Sequence, residues 1–100
     1  YVLKYWLLEG TGEFTKESIA PDTLHQLLHY DKEHGTELYE TLKTYLMNER
    51  NSTLTAQLLK INRSTLPHRL NRITQLTGAN LDDFMTRLYL MMGFYILDYI

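Results

Sequence analysis

The stretch that decides the fold runs from Ser52 to Gly78 and is STLTAQLLKINRSTLPHRLNRITQLTG. Its pattern predicts two helices joined by a tight turn. In the first helix, Leu54, Leu58 and Leu59 recur at helical spacing and should form the buried face, with Ser52 as the N-cap. The stretch therefore predicts a helix-turn-helix, which the rest of the chain should support.

The second helix of the pair should begin at Asn62 or Ser64 and bury one stripe of Leu66, Leu70 and Ile73. At about 100° per residue, its other side is polar. That side carries Ser64, His68, Asn71 and Gln75, flanked by Thr65 and Arg72. Such side chains bond phosphates and base edges in a major groove. A solvated helix face has a similar composition, so this pattern leaves both interpretations open.

The local charge favours the interpretation of this face as a nucleic-acid-binding surface. The chain has a net charge of −2 and a pI of about 6.1, which taken alone would argue against a DNA-binding protein. From Arg50 through Leu81, however, there are five basic residues and no Asp or Glu. These basic residues are Arg50, Lys60, Arg63, Arg69 and Arg72. The average charge thus conceals a basic stretch in an otherwise acidic chain, and the local value is the one that DNA would meet.

Length and composition exclude several classes of protein. One hundred residues make one domain, with room for a core but not for an enzyme with its own deep cleft. The chain has no cysteine, no glycine-rich phosphate loop and no recognisable catalytic motif, so we predict neither an enzyme nor a cofactor. His25 and His29 are four residues apart, but no third ligand is fixed, so we predict no metal site. No segment is predicted to enter a membrane.

Two predicted helices precede the basic stretch and one follows it. The first begins near Pro21 and ends near Gly35, and the second is capped by Thr36. The last helix opens at Asn80 or Asp82 and is apolar nearly all round. It forms either the centre of the bundle or an interface with a second subunit or an upstream domain. The sequence as a whole predicts an all-α bundle of about five helices.

The order of these segments resembles a known family, the C-terminal helix-turn-helix domain of PucR/CdaR-type bacterial transcription regulators. The resemblance covers roughly residues 20 to 98. It rests on Tyr30 and Asp31, LYETLKTYL at 38–46, INRSTLPHRLNRI at 61–73, LTG at 76–78 and LDD at 81–83. The resemblance implies a small helical domain that binds promoter DNA behind a sensory domain of the same cytoplasmic protein. It also places five residues at the start of the DNA-facing helix: Arg63, Ser64, Thr65, His68 and Arg69.

The sequence departs from the usual motif of that family, HRNTL-x-YRL, at Asn62, Ser64, Pro67 and His68. Pro67 matters most, because a proline inside a helix costs about 3 kcal/mol. A helix capped by Ser64 would instead hold Pro67 in its first turn, where the cost is small. We therefore predict a late start to this helix, with Arg63 in the turn.

These observations predict a boundary between residues 1–19, a remnant or linker to an upstream domain, and a DNA-binding domain at residues 20–100. The predicted partners are double-stranded DNA and a second copy of the chain. The predicted DNA-binding residues are Arg50, Lys60, Arg63, Ser64, Thr65, His68, Asn71 and Arg72. The alternative is a degenerate helix-turn-helix that serves as a protein-interaction or dimerisation module.

Overall fold

The computed structural model describes residues 20–100, and all regular structure in that range is α-helical. The helices are α1 (Asp22–His34), α2 (Leu38–Met47), α3 (Ser52–Leu59), α4 (Thr65–Thr77) and α5 (Phe84–Tyr99). The prediction of a small all-α bundle of about five helices is confirmed. The prediction of a remnant or linker at residues 1–19 lies outside the described residues.

Helix α2 is the centre of the bundle, since it packs against each of the other four helices. The core is built from leucines of α1 and α2 together with one or two large residues from α4 and α5. Its buried members are Leu24, Leu27, Leu38, Leu42, Leu46, Ile73, Leu90 and Phe94. No helix within residues 20–100 is long and apolar enough to cross a bilayer.

A single carboxylate fixes the junction of α1 and α2. Gly35 ends α1 in the left-handed conformation, with a φ of 66°. The Asp31 carboxylate then accepts hydrogen bonds from the backbone amides of Leu38 at 2.8 Å and Tyr39 at 2.9 Å. Thr36, which we expected to cap α2, instead donates its hydroxyl to Asp31. The first amides of α2 are therefore satisfied by a side chain from the preceding helix.

Helix α5 begins with a side-chain cap and contacts the bundle closely at its middle and at its end. At its start, the Asp83 side chain accepts a hydrogen bond from the Thr86 amide at 2.9 Å, and this bond lowers the pKa of the Asp83 carboxyl. Asp83, and neither Asn80 nor Asp82, is thus the N-cap. At its middle, α5 comes so close to the start of α1 that a Cβ on Gly93 would lie 2.4 Å from a ring carbon of Pro21. Any larger residue at position 93 would push the two helices apart.

The contact at the end of α5 is polar. Asp98 accepts a hydrogen bond from the Tyr39 hydroxyl at 3.1 Å and forms an ion pair with Lys43 at 2.8 Å. Burial, with the Asp98 charge as the second cause, raises the pKa of Tyr39. The hydrogen bond to Asp98 raises the pKa of Lys43. Both groups are protonated at neutral pH even at their ordinary pKa values, and the raised pKa values extend to higher pH the range in which they hold the end of α5 against α2.

Candidate nucleic-acid interface

Helix α3 begins with a side-chain cap at Asn51. The Asn51 side-chain oxygen accepts a hydrogen bond from the Leu54 amide at 3.0 Å. Ser52, the predicted N-cap, is the first residue of the helix instead. Asn and Ser are equally good caps, so the pattern of residue types could not choose between adjacent positions.

The buried face of α3 differs from the predicted one. Leu54 and Leu58 are 37% and 54% exposed, whereas Thr55 and Ala56 are buried against the bundle. Small residues on that face let α3 approach α2 closely, and the large leucines are left on the outer side. Of the three predicted leucines, Leu59 is half-buried.

The turn after α3 depends on a left-handed residue. Lys60 has a φ of 59°, and its amide donates to the Gln57 carbonyl at 3.2 Å. The next amide, that of Ile61, reaches back to the Ala56 carbonyl at 3.0 Å. These two bonds form the Schellman motif that usually ends a helix with glycine. A basic side chain therefore lies at the turn, although the left-handed backbone conformation is unfavourable for a residue with a side chain.

Helix α4 starts late, as predicted from Pro67. Ser64 is at the N-cap position, although its side chain makes no capping hydrogen bond. The Thr65 amide donates instead to the Asn62 carbonyl at 2.9 Å, which closes a tight turn ahead of the helix. Pro67 is thus the third helical residue, where a backbone N–H would have no partner within the helix. Arg63 lies in the turn.

The two sides of α4 are as different as the sequence predicts. Leu66 and Ile73 are fully buried, and Leu70 is half-buried and packs against the core. The opposite side and the turn before it expose most of the predicted contact residues, namely Lys60, Arg63, Ser64, His68, Asn71 and Arg72. Thr65 is half-buried. The structure therefore brings seven of the eight predicted residues onto one turn and one helix face.

Arg69, which the resemblance placed in the DNA-facing helix, bonds to the bundle. Its guanidinium donates to the hydroxyl of Thr41, a fully buried residue of α2, at 3.1 Å. The Thr41 hydroxyl in turn donates to the Glu37 carbonyl at 2.7 Å. This chain of bonds ties α4 to α2 and leaves Arg69 less able to reach DNA than the exposed arginines.

Arg50, the eighth predicted residue, lies apart from the others, in the turn between α2 and α3. It is at the opposite end of α3 from Lys60, with a φ of 59°. Its guanidinium lies 3.4 Å from the carboxylate of Asp82, the first acid after the basic stretch. The ion pair joins two turns that the sequence pattern gave no reason to bring together.

Three polar groups near the predicted site, two of them exposed and one half-buried, were not singled out from the sequence. Thr53 and Gln57 are exposed polar residues of α3. Arg87 lines a 240 Å³ groove with Arg50, and its guanidinium donates to the Leu81 carbonyl at 3.0 Å. Arg87 lies beyond the acid-free stretch, so only the packing of α5 could reveal its position beside Arg50.

Comparisons with known proteins agree with this architecture. Residues 38–96 match the PucR C-terminal helix-turn-helix domain family. The chain is 42% identical over 57 residues to the proline-responsive transcriptional activator PutR of Bacillus subtilis. It is 34% identical over 59 residues to the DNA-binding transcriptional activator AdeR of the same organism. These matches cover 57% and 59% of this chain but 14% of each relative, and no solved structure matches.

The family match extends from the start of α2 almost to the end of α5, and so includes both helices of the α3–α4 pair. It agrees with the resemblance found in the INRSTL and LTG segments, which lie in the turn and at the end of α4. The chain therefore belongs to the PucR C-terminal helix-turn-helix domain family, the helix-turn-helix of PucR-type transcription regulators.

Proposed function

We propose that this domain binds double-stranded DNA with α4 in the major groove. It would act as the C-terminal part of a cytoplasmic bacterial transcription regulator, behind a sensory domain. The observation that carries the proposal is the outer side of α4 with its preceding turn, which is exposed, polar and basic, and has no acid between Arg50 and Leu81. Both relatives are transcriptional activators by name, and AdeR is also named as DNA-binding.

Affinity in this proposal comes from Lys60, Arg63 and Arg72, which meet phosphates. All three side chains are exposed, so they can contact DNA without any change in the fold. Arg50 adds a fourth contact if its ion pair with Asp82 opens. That cost is small, because the Asp82 side chain is 93% exposed and surface pairs contribute about 0 to 1 kcal/mol.

Sequence preference comes from the side chains along the start of α4. Asn71 can bond the N6 and N7 edge of adenine with its amide, and His68 and Ser64 can bond base edges or phosphates. Thr65 is half-buried, so its methyl or hydroxyl would reach only a base close to the helix. Since α4 begins at Thr65, the side chains of Arg63 and Ser64 leave the turn before the helix and define how its end enters the groove.

The test is fluorescence anisotropy of the chain with mixed-sequence duplex DNA over a series of salt concentrations. Arg63→Ala and Arg72→Ala should each weaken binding and reduce the slope of log K against log salt by about 0.9, the value for one phosphate contact. Lys32→Ala is the matched control, because Lys32 is an exposed base on α1. It should change neither affinity nor slope beyond a small general charge effect.

Equal losses in all three variants would mean that attraction is diffuse and that α4 is not the binding surface. Absence of binding at low salt, from a sample with a helical circular dichroism spectrum, would contradict DNA binding altogether. In that case the protein-interaction module becomes the better account. The exposed Leu54 and Leu58 on α3 would then be its natural contact surface.

A further inference from the structure

Helix α3 exposes two different sides to water. Thr53 and Gln57 lie one turn apart and are both exposed, and we call them the polar side of α3. Leu54 and Leu58 are the neighbouring exposed pair, and we call them the apolar side of α3. At about 100° per residue, the two sides are separated by about 100° around the helix axis. A ligand that lies along one side of α3 therefore need not touch the other.

The polar side of α3 runs into the turn that precedes α4. Lys60 follows Gln57 by three residues, and its amide donates to the Gln57 carbonyl at 3.2 Å. Both Lys60 and Arg63, the next base along the chain, are exposed. Thr53, Gln57 and Lys60 thus follow one another at intervals of four and three, which is the spacing of one helix face. The polar side is therefore continuous with the bases that the proposed function assigns to phosphates.

Charge also separates the two sides. Helix α3 and the turn after it hold no Asp or Glu, and one base lies at each end of the helix, Arg50 before it and Lys60 after it. The apolar side, in contrast, has a carboxylate beside it, because Glu49 lines a groove together with Leu54. A polyanion is therefore attracted along the polar side and repelled near the apolar side.

Thr53 and Gln57 have side chains that suit a phosphate. A threonine hydroxyl and a glutamine amide both donate hydrogen bonds to phosphate oxygens in protein–DNA complexes. Within residues 20–100, neither side chain hydrogen-bonds to another residue. Both donors can therefore reach a phosphate without breaking a bond in the fold.

We propose that the polar side of α3 lies along the phosphate backbone of the DNA whose major groove holds α4, with Thr53 and Gln57 in contact with phosphates. This inference rests on the proposed function and adds a second helix to the DNA interface. A short turn joins the two helices, so a duplex that receives the start of α4 in its groove brings its backbone close to α3. Contacts of this kind fix the orientation of α4 in the groove and carry no sequence preference of their own.

Two lysine variants test which side of α3 faces DNA. Gln57→Lys and Leu58→Lys add the same charge to adjacent exposed residues, and their DNA affinities are compared by fluorescence anisotropy over a salt series. Gln57→Lys should bind several-fold more tightly and steepen the slope of log K against log salt by about 0.9. Leu58→Lys should change affinity by less than about twofold, because its charge lies on the other side and salt screens it over about 8 Å. A gain in affinity cannot arise from loss of folding.

Two glutamate variants apply the opposite charge at the start of the helix. Thr53→Glu and Leu54→Glu both place an acid in the first turn of α3, where a negative charge stabilises a helix. Both variants should therefore keep the circular dichroism spectrum of the wild type. Thr53→Glu should weaken DNA binding about tenfold, whereas Leu54→Glu should have a much smaller effect.

Equal effects within each pair of variants would overturn the proposal, because they would show that charge acts from either side of α3. A gain in Leu58→Lys without one in Gln57→Lys would also overturn it, since the apolar side would then face DNA. Arg63→Ala and Arg72→Ala on the same duplex separate this inference from the proposed function. Losses of affinity in those two variants, without any response at Thr53 and Gln57, would refute the contact of α3 and leave α4 in the groove.

Discussion

Two buried threonines illustrate how much a single hydroxyl group matters in this core. Both Thr41 and Thr55 are fully buried. The Thr41 hydroxyl donates to Glu37 and accepts from Arg69, whereas the Thr55 hydroxyl has no hydrogen-bond partner among the described residues. A buried hydroxyl without a partner costs about 1 to 3 kcal/mol.

The same substitution at these positions should therefore have opposite effects. Thr55→Val removes an unpaired hydroxyl and should raise the free energy of unfolding by about 1 kcal/mol. Thr41→Val removes two hydrogen bonds and leaves the Arg69 guanidinium without its partner. It should therefore lower the free energy of unfolding by about 2 kcal/mol. Urea denaturation followed by circular dichroism measures both values. A loss of stability in Thr55→Val comparable with that in Thr41→Val would show that the Thr55 hydroxyl is satisfied after all.

Lys60 should oppose stability while it supports DNA binding. Its φ of 59° is disfavoured for a residue with a side chain by roughly 1 kcal/mol. Lys60→Gly should therefore raise the free energy of unfolding by about 1 kcal/mol and still weaken DNA binding, because a phosphate contact is lost.

Glu49 provides the matched control, since its φ is 57° and its side chain is acidic. Glu49→Gly should give a similar gain in stability with no loss of DNA affinity. Thermal denaturation and anisotropy on the same samples separate the two effects. Equal affinity of wild type and Lys60→Gly would remove Lys60 from the proposed contacts.

At the scale of the helices, Asp31 stabilises the junction between α1 and α2. Its carboxylate accepts from two amides and one hydroxyl, which no residue of α2 could replace. Asp31→Ala should lower the free energy of unfolding by about 2 to 3 kcal/mol. Asp22→Ala, at an exposed acid in the first turn of α1, should cost less than about 1 kcal/mol. Similar costs in the two variants, measured by urea denaturation, would contradict this role for Asp31.

The start of α4 predicts how the chain tolerates changes at Pro67. As the third helical residue, Pro67 breaks no helical hydrogen bond, so Pro67→Ala should change the free energy of unfolding by less than about 1 kcal/mol. Asn71→Pro, in the exposed middle of the same helix, should cost about 3 kcal/mol or more. A large gain in stability from Pro67→Ala would mean that the helix begins earlier and is strained.

The helices differ in how well their buried faces and caps could be predicted from the sequence. The buried stripe of α4 was predictable because leucine and isoleucine recur there at helical spacing on an otherwise polar helix. The face of α3 was not, because its buried positions hold Thr55 and Ala56, which periodicity of large apolar residues overlooks. The cap of α2 by Asp31 was equally hidden, since it joins residues seven and eight positions apart across a turn.

Across the whole molecule, the distribution of charge matters more than its sum. The acid-free stretch from Arg50 to Leu81 could be found from sequence alone, and so could the exposed face of α4. The separation of Arg50 from that face could not, because it depends on the length of α3 and on where Asp82 lies after α4. In α4 the local pattern therefore predicted which side chains are exposed, whereas in α3 it did not, and tertiary packing decided which exposed side chains share a surface.

DNA should meet the outer side of α4 and the turn before it. Amide chemical shifts of the isotope-labelled chain, followed during titration with a short duplex, test this residue by residue. The largest changes in chemical shift should occur from Lys60 to Arg72, with α1 nearly unaffected. Changes in chemical shift concentrated on Leu54 and Leu58, on α5 or on α1, without changes in α4, would contradict a DNA interface on α4.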